Sequence, residues 1–275
     1  MPLNALASSD LYVLATGAAA VRRLHVLHDV YAPAGKRVLL QAGLTQGMTV
    51  ADFGCGVGVV TRMLAQMVGP SGSVTGIDVD EAQLKEAAAL CDREGLQNTC
   101  FVKASAYSTG LPRNSFDLVY CRFLLLHLTD PTACLHEMRA VLRPGGMLVV
   151  EDGDLASATS VLRSAMDAFA ELFGRLGPTR GVNYSLAKDL FHMVVAAGFR
   201  GANLEIHQPA IIRGENRYFL KWSVEEAGPA LVEAGILTER ALARRLAQMQ
   251  SAVDNPNVVI LAPRMSCVWG RKADG

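Results

Sequence analysis

The sequence predicts an α/β fold: a doubly wound sheet, mostly parallel with an antiparallel last strand, plus N-terminal helices and a helical insertion near the C-terminus. Two observations predict it. From about residue 48, short apolar runs alternate with stretches of helical periodicity, the order expected of βαβ units covered on both faces. A glycine-rich turn, Gly54-Cys55-Gly56-Val57-Gly58, joins the first apolar run to the first of these helical periods.

The elements follow in order. Leu11 to Val21 reads as helix. Met48 to Phe53 is the first strand, and the next helix carries Val59, Val60, Met63, Leu64, Met67 and Val68 on one face before Gly69-Pro70 stops it. Ser73 to Asp78 is the second strand. Asp80 is placed to cap the following helix, with Gln83 as the other half of a capping box. Thr99 to Lys103 and Phe116 to Cys121 are strands three and four. Asp130-Pro131 starts a helix that Arg143-Pro144-Gly145-Gly146 ends, ahead of strand five at Met147 to Glu151. Beyond it we expect a long helix over 156–176, a helix from Ser185 to Gly198, a β-like stretch from Ala202 to Ile212, and a last apolar run from Val258 to Trp269. The segment between these last two is helical and rich in Ala, Leu, Arg and Glu. The expected domains are therefore an N-terminal helical lid (1–40), a sheet domain (41–214 and 256–275) and a helical cap (215–255) inserted between the last two strands.

Composition narrows the function classes. Lys plus Arg equals Asp plus Glu at 26 each, so no excess positive charge is available to hold a nucleic acid by counterion release. Apolar residues make up 51%, yet no uninterrupted apolar run reaches the ~20 residues of a membrane span. The Leu11–Val21 stretch follows Asp10 rather than a basic n-region and runs directly into Arg22 and Arg23, which argues against a secretory signal. Six scattered cysteines, with no CxxC pair and no histidines at zinc-ligand spacing, point to reduced thiols, a cytoplasmic protein and no metal site.

The chemistry centres on Val50 to Gly58. Asp52 sits at the end of a strand, followed by three glycines at alternate positions. Glycine suits such a turn because the backbone needs angles a β-carbon resists, and because a ligand reaches the main chain only where side chains are missing. Asp78 follows about 20 residues later at the tip of strand two, where a carboxylate can accept from both ribose hydroxyls of a nucleoside. The G-x-G-x-G spacing differs from the G-x-G-x-x-G of dinucleotide binders, and Asp52 would repel a pyrophosphate but favour an ammonium. Both features disfavour NAD and suit S-adenosylmethionine.

With these motifs, and with Gly76-Ile77-Asp78, Leu111-Pro112 to Phe116-Asp117-Leu118-Val119, His127 to Pro131 and Leu142-Arg143-Pro144-Gly145-Gly146 in sequence order, residues 40 to 155 resemble the class I S-adenosylmethionine-dependent methyltransferases. The similarity is to the branch with the ubiquinone and menaquinone C-methyltransferases and many natural-product enzymes. The resemblance implies a Rossmann-like fold in which Gly54, Cys55, Gly56 and Gly58 form the cofactor turn, the first three facing the methionine part, with Asp78 on the ribose. It also implies that Val79 packs on the adenine, that Ser105 and Ala106 lie at its edge, and that Cys121 offers its carbonyl to the methionine ammonium. The family usually has an acidic residue where this chain has Ser105, which puts the bond to the adenine amino group in doubt.

Methyl transfer is an in-line displacement that chiefly needs alignment; a base is required only if the acceptor must lose a proton. Acceptors bind outside the carboxyl ends of strands four and five, which singles out Arg122, His127, Glu151, Asp152 and Asp154. Asp152 and His127 are the catalytic candidates, each with a plain alternative: a solvated loop acid and a packing histidine. Arg122 could hold an acidic acceptor or pair with Asp154. Tyr12 and Trp222 are the aromatics expected at the acceptor, and the cluster Tyr218, Phe219 and Trp222 suits either a lid or a homodimer contact. The expected reaction is methyl transfer to a small apolar or aromatic molecule. The rivals are a methyltransferase of protein or nucleic acid, a protein that binds the cofactor without turnover, and a nicotinamide-dependent dehydrogenase.

Overall fold

The computed structural model describes residue 14, residues 18–161 and residues 164–273. Seven strands form one sheet: β1 (Thr49–Phe53), β2 (Ser73–Asp78), β3 (Thr99–Lys103), β4 (Phe116–Arg122), β5 (Leu142–Asp154), β6 (Phe199–His207) and β7 (Arg264–Lys272). Their order is β3-β2-β1-β4-β5-β7-β6. The pairs β1–β2, β2–β3, β1–β4 and β4–β5 are parallel, whereas β7 runs antiparallel between β5 and β6. The strand order reverses direction between β1 and β4. At such a switch the two flanking crossovers leave on opposite faces and open a crevice at the carboxyl ends of the strands.

Why these residues build the central sheet is visible in burial. Val50, Ala51 and Phe53 of β1, Leu118, Val119 and Tyr120 of β4, and Leu148, Val149 and Val150 of β5 are all fully buried, as expected of parallel strands covered on both faces. Helices α1 (Ala18–Gln41), α2 (Val59–Val68), α3 (Glu81–Arg93), α4 (Pro131–Val141) and α6 (Leu190–Ala196) provide the cover, while α5 (Ala168–Thr179) packs chiefly on the turns that follow β5. Asp80 caps α3 by accepting from the amides of Ala82 and Gln83, and Asp130 caps α4 through Ala133 N. The capping box at α3 does not close: the amide of Asp80 donates to Asp78 Oδ1 instead, and Gln83 Oε1 has no hydrogen-bond partner among the described residues.

Two expectations are corrected. β5 extends to Asp154, well past Glu151, because its whole second half is laddered to β7 from Met147–Arg271 to Asp154–Arg264. The single helix expected over 156–176 is instead a 3-10 turn at Leu155–Ser157, a two-residue strand at Thr159–Ser160, another 3-10 turn at Ala165–Asp167, and then α5. Side-chain hydroxyls compete with the helix there. Ser157 Oγ donates to Asp154 O, while Thr159 Oγ1 and Ser160 Oγ both donate to Asp167 Oδ1.

Between β6 and β7 the chain forms a 3-10 turn (Glu215–Tyr218) and helices α7 (Phe219–Glu226), α8 (Gly228–Glu233) and α9 (Glu239–Asp254). Short strands at 159–160, 210–211 and 260–261 pair at the base of this segment. Arg217, 6% exposed, fastens it. Its guanidinium donates to five backbone carbonyls: Ile212, Ala252, Val253, Asn255 and Val258, at 2.6–3.1 Å. Three of these close the C-terminal end of α9, whose last carbonyls have no partner within the helix. Arg217→Met strands several buried acceptors at once and should cost on the order of 3 kcal/mol of stability, read as a lower urea midpoint; a loss below about 0.5 kcal/mol would show that water replaces the guanidinium.

Candidate functional site

A cavity of about 450 Å³ lies at the carboxyl ends of β1, β2 and β4, walled on its other side by α1, α5 and α7. One end is formed by the glycine turn, Asp78 to Asp80, and Ala104 to Tyr107. The rest of the lining is aromatic and mixed in polarity, with Phe123, Phe169, Phe173 and Phe219 beside Arg122 and His127.

The glycine turn is dictated by backbone geometry. Gly54, Gly56 and Gly58 have φ of 69°, 53° and 78°, in the left-handed region that a β-carbon disfavours. Gly58 also packs against α3, where an added Cβ would sit 2.7 Å from Ala87 Cβ. Asp78 ties the turn to β2: Oδ2 accepts from Gly56 N at 2.9 Å and Oδ1 from Asp80 N at 3.0 Å. Burial raises its pKa, and the backbone amides oppose that rise. Each oxygen keeps lone-pair capacity, so the carboxylate can also accept from a pair of ligand hydroxyls. Around it lie Val79, Ser105 and Ala106, a nucleoside-sized setting that fits the adenosyl part of S-adenosylmethionine. Ser105 Oγ accepts from Tyr107 N, which holds the loop in place.

Other residues singled out by the sequence lie as follows. Cys55 lines the cavity, whereas Asp52, Gly58 and Cys121 are not among its lining residues. Asp52 is 2% exposed and accepts from Thr61 Oγ1 at 2.6 Å, and burial pushes its pKa up to about 7. His127 does line the cavity, its ring edge-on to Tyr184 at 5.6 Å. Burial, with Arg23 adding to it, lowers its pKa to about 3, so it is a neutral hydrogen-bonding group and a weak base. Arg122 lines the cavity as well, with Nη2 3.1 Å from His28 Nδ1.

Three expectations need correction. Asp152 is fully buried and does not line the cavity; its oxygens accept from Leu126 N and Gly153 N, so it braces the 3-10 turn Leu125–His127 from beneath. Asp154 pairs with Arg264 at 3.0 Å and Lys188 at 3.7 Å rather than with Arg122. Trp222 faces away from the cavity, stacked on Tyr218 with Arg22 above its ring. Tyr218 and Trp222, four residues apart, stack on each other, while Phe219 and Ser223, also four apart, line the cavity. Tyr12 lies outside the described residues.

Sequence reasoning missed Gln83, Arg23 and the aromatic wall. Gln83 is 6% exposed and lines the cavity, with Oε1 close enough to Gly56 that an added Cβ there would meet it at 3.1 Å. The capping-box spacing concealed it. Arg23 pairs with Glu226 at 2.7 Å, joining α1 to α7. Phe169 and Phe173 are spaced i, i+4, a pattern that a core-facing helix shows equally well.

Two predictions follow from this geometry. Gly58→Ala forces α3 away from the turn and should weaken nucleoside binding about 10-fold or more, measured by calorimetry; unchanged affinity would mean the turn tolerates a side chain. Asp52 and Asp152 both titrate near 7 in the folded protein against 3.8 unfolded, so the folded form holds protons that the unfolded form sheds. Their contribution to stability therefore falls as pH rises from about 4 to 7, whereas buried His28 and His127, both lowered to about 3, act in the opposite sense. Comparing urea stability at pH 5 and pH 7.5, Asp52→Asn with Asp152→Asn should shift the pH slope upward relative to wild type; identical slopes would show that neither carboxyl is protonated on folding.

Comparison with known proteins agrees with this geometry. Residues 50–146 match the methyltransferase-domain family. The chain is 39% identical over 111 residues to the ubiquinone/menaquinone biosynthesis C-methyltransferase UbiE of Hahella chejuensis, covering 40% of this chain and 45% of that one. It is 32% identical over 167 residues to a demethylmenaquinone methyltransferase of Staphylococcus aureus, covering 60% and 66%. The chain thus spans between about half and two thirds of the length of these relatives. Among solved structures it resembles a SAM-dependent methyltransferase from Aquifex aeolicus (25% identity, TM-score 0.50, 63% of this chain and 82% of that one). It also resembles the cyclase SpnF (26% identity, TM-score 0.53, 87% and 80%). The domain built around residues 50–146 is a class I S-adenosylmethionine-dependent methyltransferase domain.

Proposed function

We propose that this chain transfers the methyl group of S-adenosylmethionine to a small, apolar, aromatic acceptor. The observation that carries the reading is the continuity of one cavity, whose glycine-and-carboxylate end suits a nucleoside and whose other end is walled by four phenylalanines. When bound, S-adenosylmethionine supplies an electrophilic methyl carbon for in-line displacement. The protein's part is to orient and to exclude water. Asp78 and the glycine turn fix the nucleoside; Phe123, Phe169, Phe173 and Phe219 position a flat acceptor; α1 and α7, joined by Arg23–Glu226, keep the space closed. Asp152 is a positioning residue that holds the turn bearing His127, and His127 is a neutral hydrogen-bond partner for an acceptor oxygen.

The similarity to quinone-biosynthesis C-methyltransferases supports aromatic diols and related quinols as the acceptor class. A cavity of about 450 Å³ and balanced charge favour a small molecule over protein or nucleic acid. All six cysteines are unpaired, which supports a cytoplasmic setting, and no described helix is long and apolar enough to cross a membrane. The similarity to SpnF favours a second reading, in which the same cavity folds an apolar substrate for cyclisation without consuming a methyl group.

Incubation with methyl-labelled S-adenosylmethionine and a panel of naphthols, catechols and quinols separates the two. Label should move to an aromatic acceptor, and Phe173→Ala should raise KM for that acceptor about 10-fold or more through lost ring packing. Cofactor binding without label transfer to any aromatic would favour the cyclase-like reading.

A further inference from the structure

Among the described residues, Arg122 is a buried guanidinium in the cavity wall with no bonded counter-ion. It is 8% exposed. Nη1 has no hydrogen-bond partner, and Nη2 meets only the imidazole of His28. That imidazole is uncharged, because burial and then the charge of Arg122 itself hold its pKa near 3. Among the described residues no acid lies within ion-pair distance of Arg122. Glu151, opposite Arg122 in the β4–β5 ladder, accepts from Tyr120 Oη at 2.6 Å through Oε2, while its Oε1 has no hydrogen-bond partner; burial shifts its pKa upward and the charge of Arg122 opposes that shift. Asp52 is held by Thr61, and Asp154 by Arg264 and Lys188. A desolvated cation keeps its place only with compensation, and a carboxylate in the cavity matches its forked donors.

We propose that Arg122 is an anion-binding residue of the cavity, taking a carboxylate or other anionic oxygen from a bound molecule on its guanidinium. The inference deepens the functional reading above and rests on it for the identity of that molecule. Two sources present this chemistry: the amino-acid carboxylate of the cofactor, and an acidic group on the acceptor. In either case His28 on α1 is the positioning residue. By accepting from Nη2 without carrying charge, it orients the guanidinium and leaves its positive charge for the ligand.

The test compares wild type with Arg122→Met and with Arg122→Gln, which keeps a donor for His28 but no charge; thermal unfolding identifies whichever variant is folded. Calorimetry uses S-adenosylhomocysteine and methylthioadenosine, which share the nucleoside thioether and differ by the amino-acid carboxylate. Naphthoate and its uncharged analogue naphthalenemethanol are then titrated into the free protein and into the S-adenosylhomocysteine complex. A charge-assisted bond is worth about 10-fold or more in affinity.

A loss of that size for S-adenosylhomocysteine, with methylthioadenosine unchanged, supports the proposal with the cofactor as source. Unchanged nucleoside binding with loss of a wild-type preference for naphthoate supports it with the acceptor as source. Variants that bind all four molecules as wild type does would overturn it. If wild type binds neither nucleoside, the functional reading fails, while the naphthoate comparison on the free protein still decides the role of Arg122.

Discussion

Two backbone amides from separate loops converge on one carboxylate, and the arrangement of the site depends on that convergence. Gly56 N and Asp80 N both donate to Asp78, one from the turn after β1 and one from the start of α3. The bond to Gly56 fixes the turn against the neighbouring strand end. The bond to Asp80 orients the residue that caps α3, so the helix begins where its first turn can face the cavity. Gly58 then lets α2 and α3 approach to contact. Because Asp78 is half-buried, each of these bonds is stronger than its counterpart in water, and leaving one unmade would be correspondingly costly.

Enclosure comes from elements outside the parallel sheet. Tyr31, fully buried on α1, donates to the carbonyl of Pro263 at 2.8 Å and stands edge-on to Phe123 and Phe219, linking the N-terminal helix to β4, α7 and the approach to β7. Arg22 reaches Glu215 and covers Trp222, and Arg23 reaches Glu226. Arg217 gathers the ends of the inserted helices. The cavity is therefore walled by segments distant in sequence.

The same division explains what could be read from the sequence. β1 to β4 and the Asp78 position follow from local rules: alternating apolar runs, a glycine turn, a carboxylate at a strand tip. The second half of β5 did not, because Asp152-Gly153-Asp154 has the composition of a loop. Only tertiary partners, the backbone amides for Asp152 and Arg264 with Lys188 for Asp154, make its burial tolerable. Ser157, Thr159 and Ser160 hid a break in an otherwise helical period. The cluster Tyr218, Phe219 and Trp222 marks an aromatic patch in the insertion without saying which ring meets the cavity, and it is Phe219 that does. Gln83 satisfied a capping-box spacing whose second bond had already been supplied by Asp78.

If the Asp78 end of the cavity accepts the nucleoside of S-adenosylmethionine, calorimetric titration of the purified protein finds one site per chain with micromolar affinity for S-adenosylhomocysteine and no heat from NAD. No binding of S-adenosylhomocysteine, or binding of NAD in its place, would contradict it.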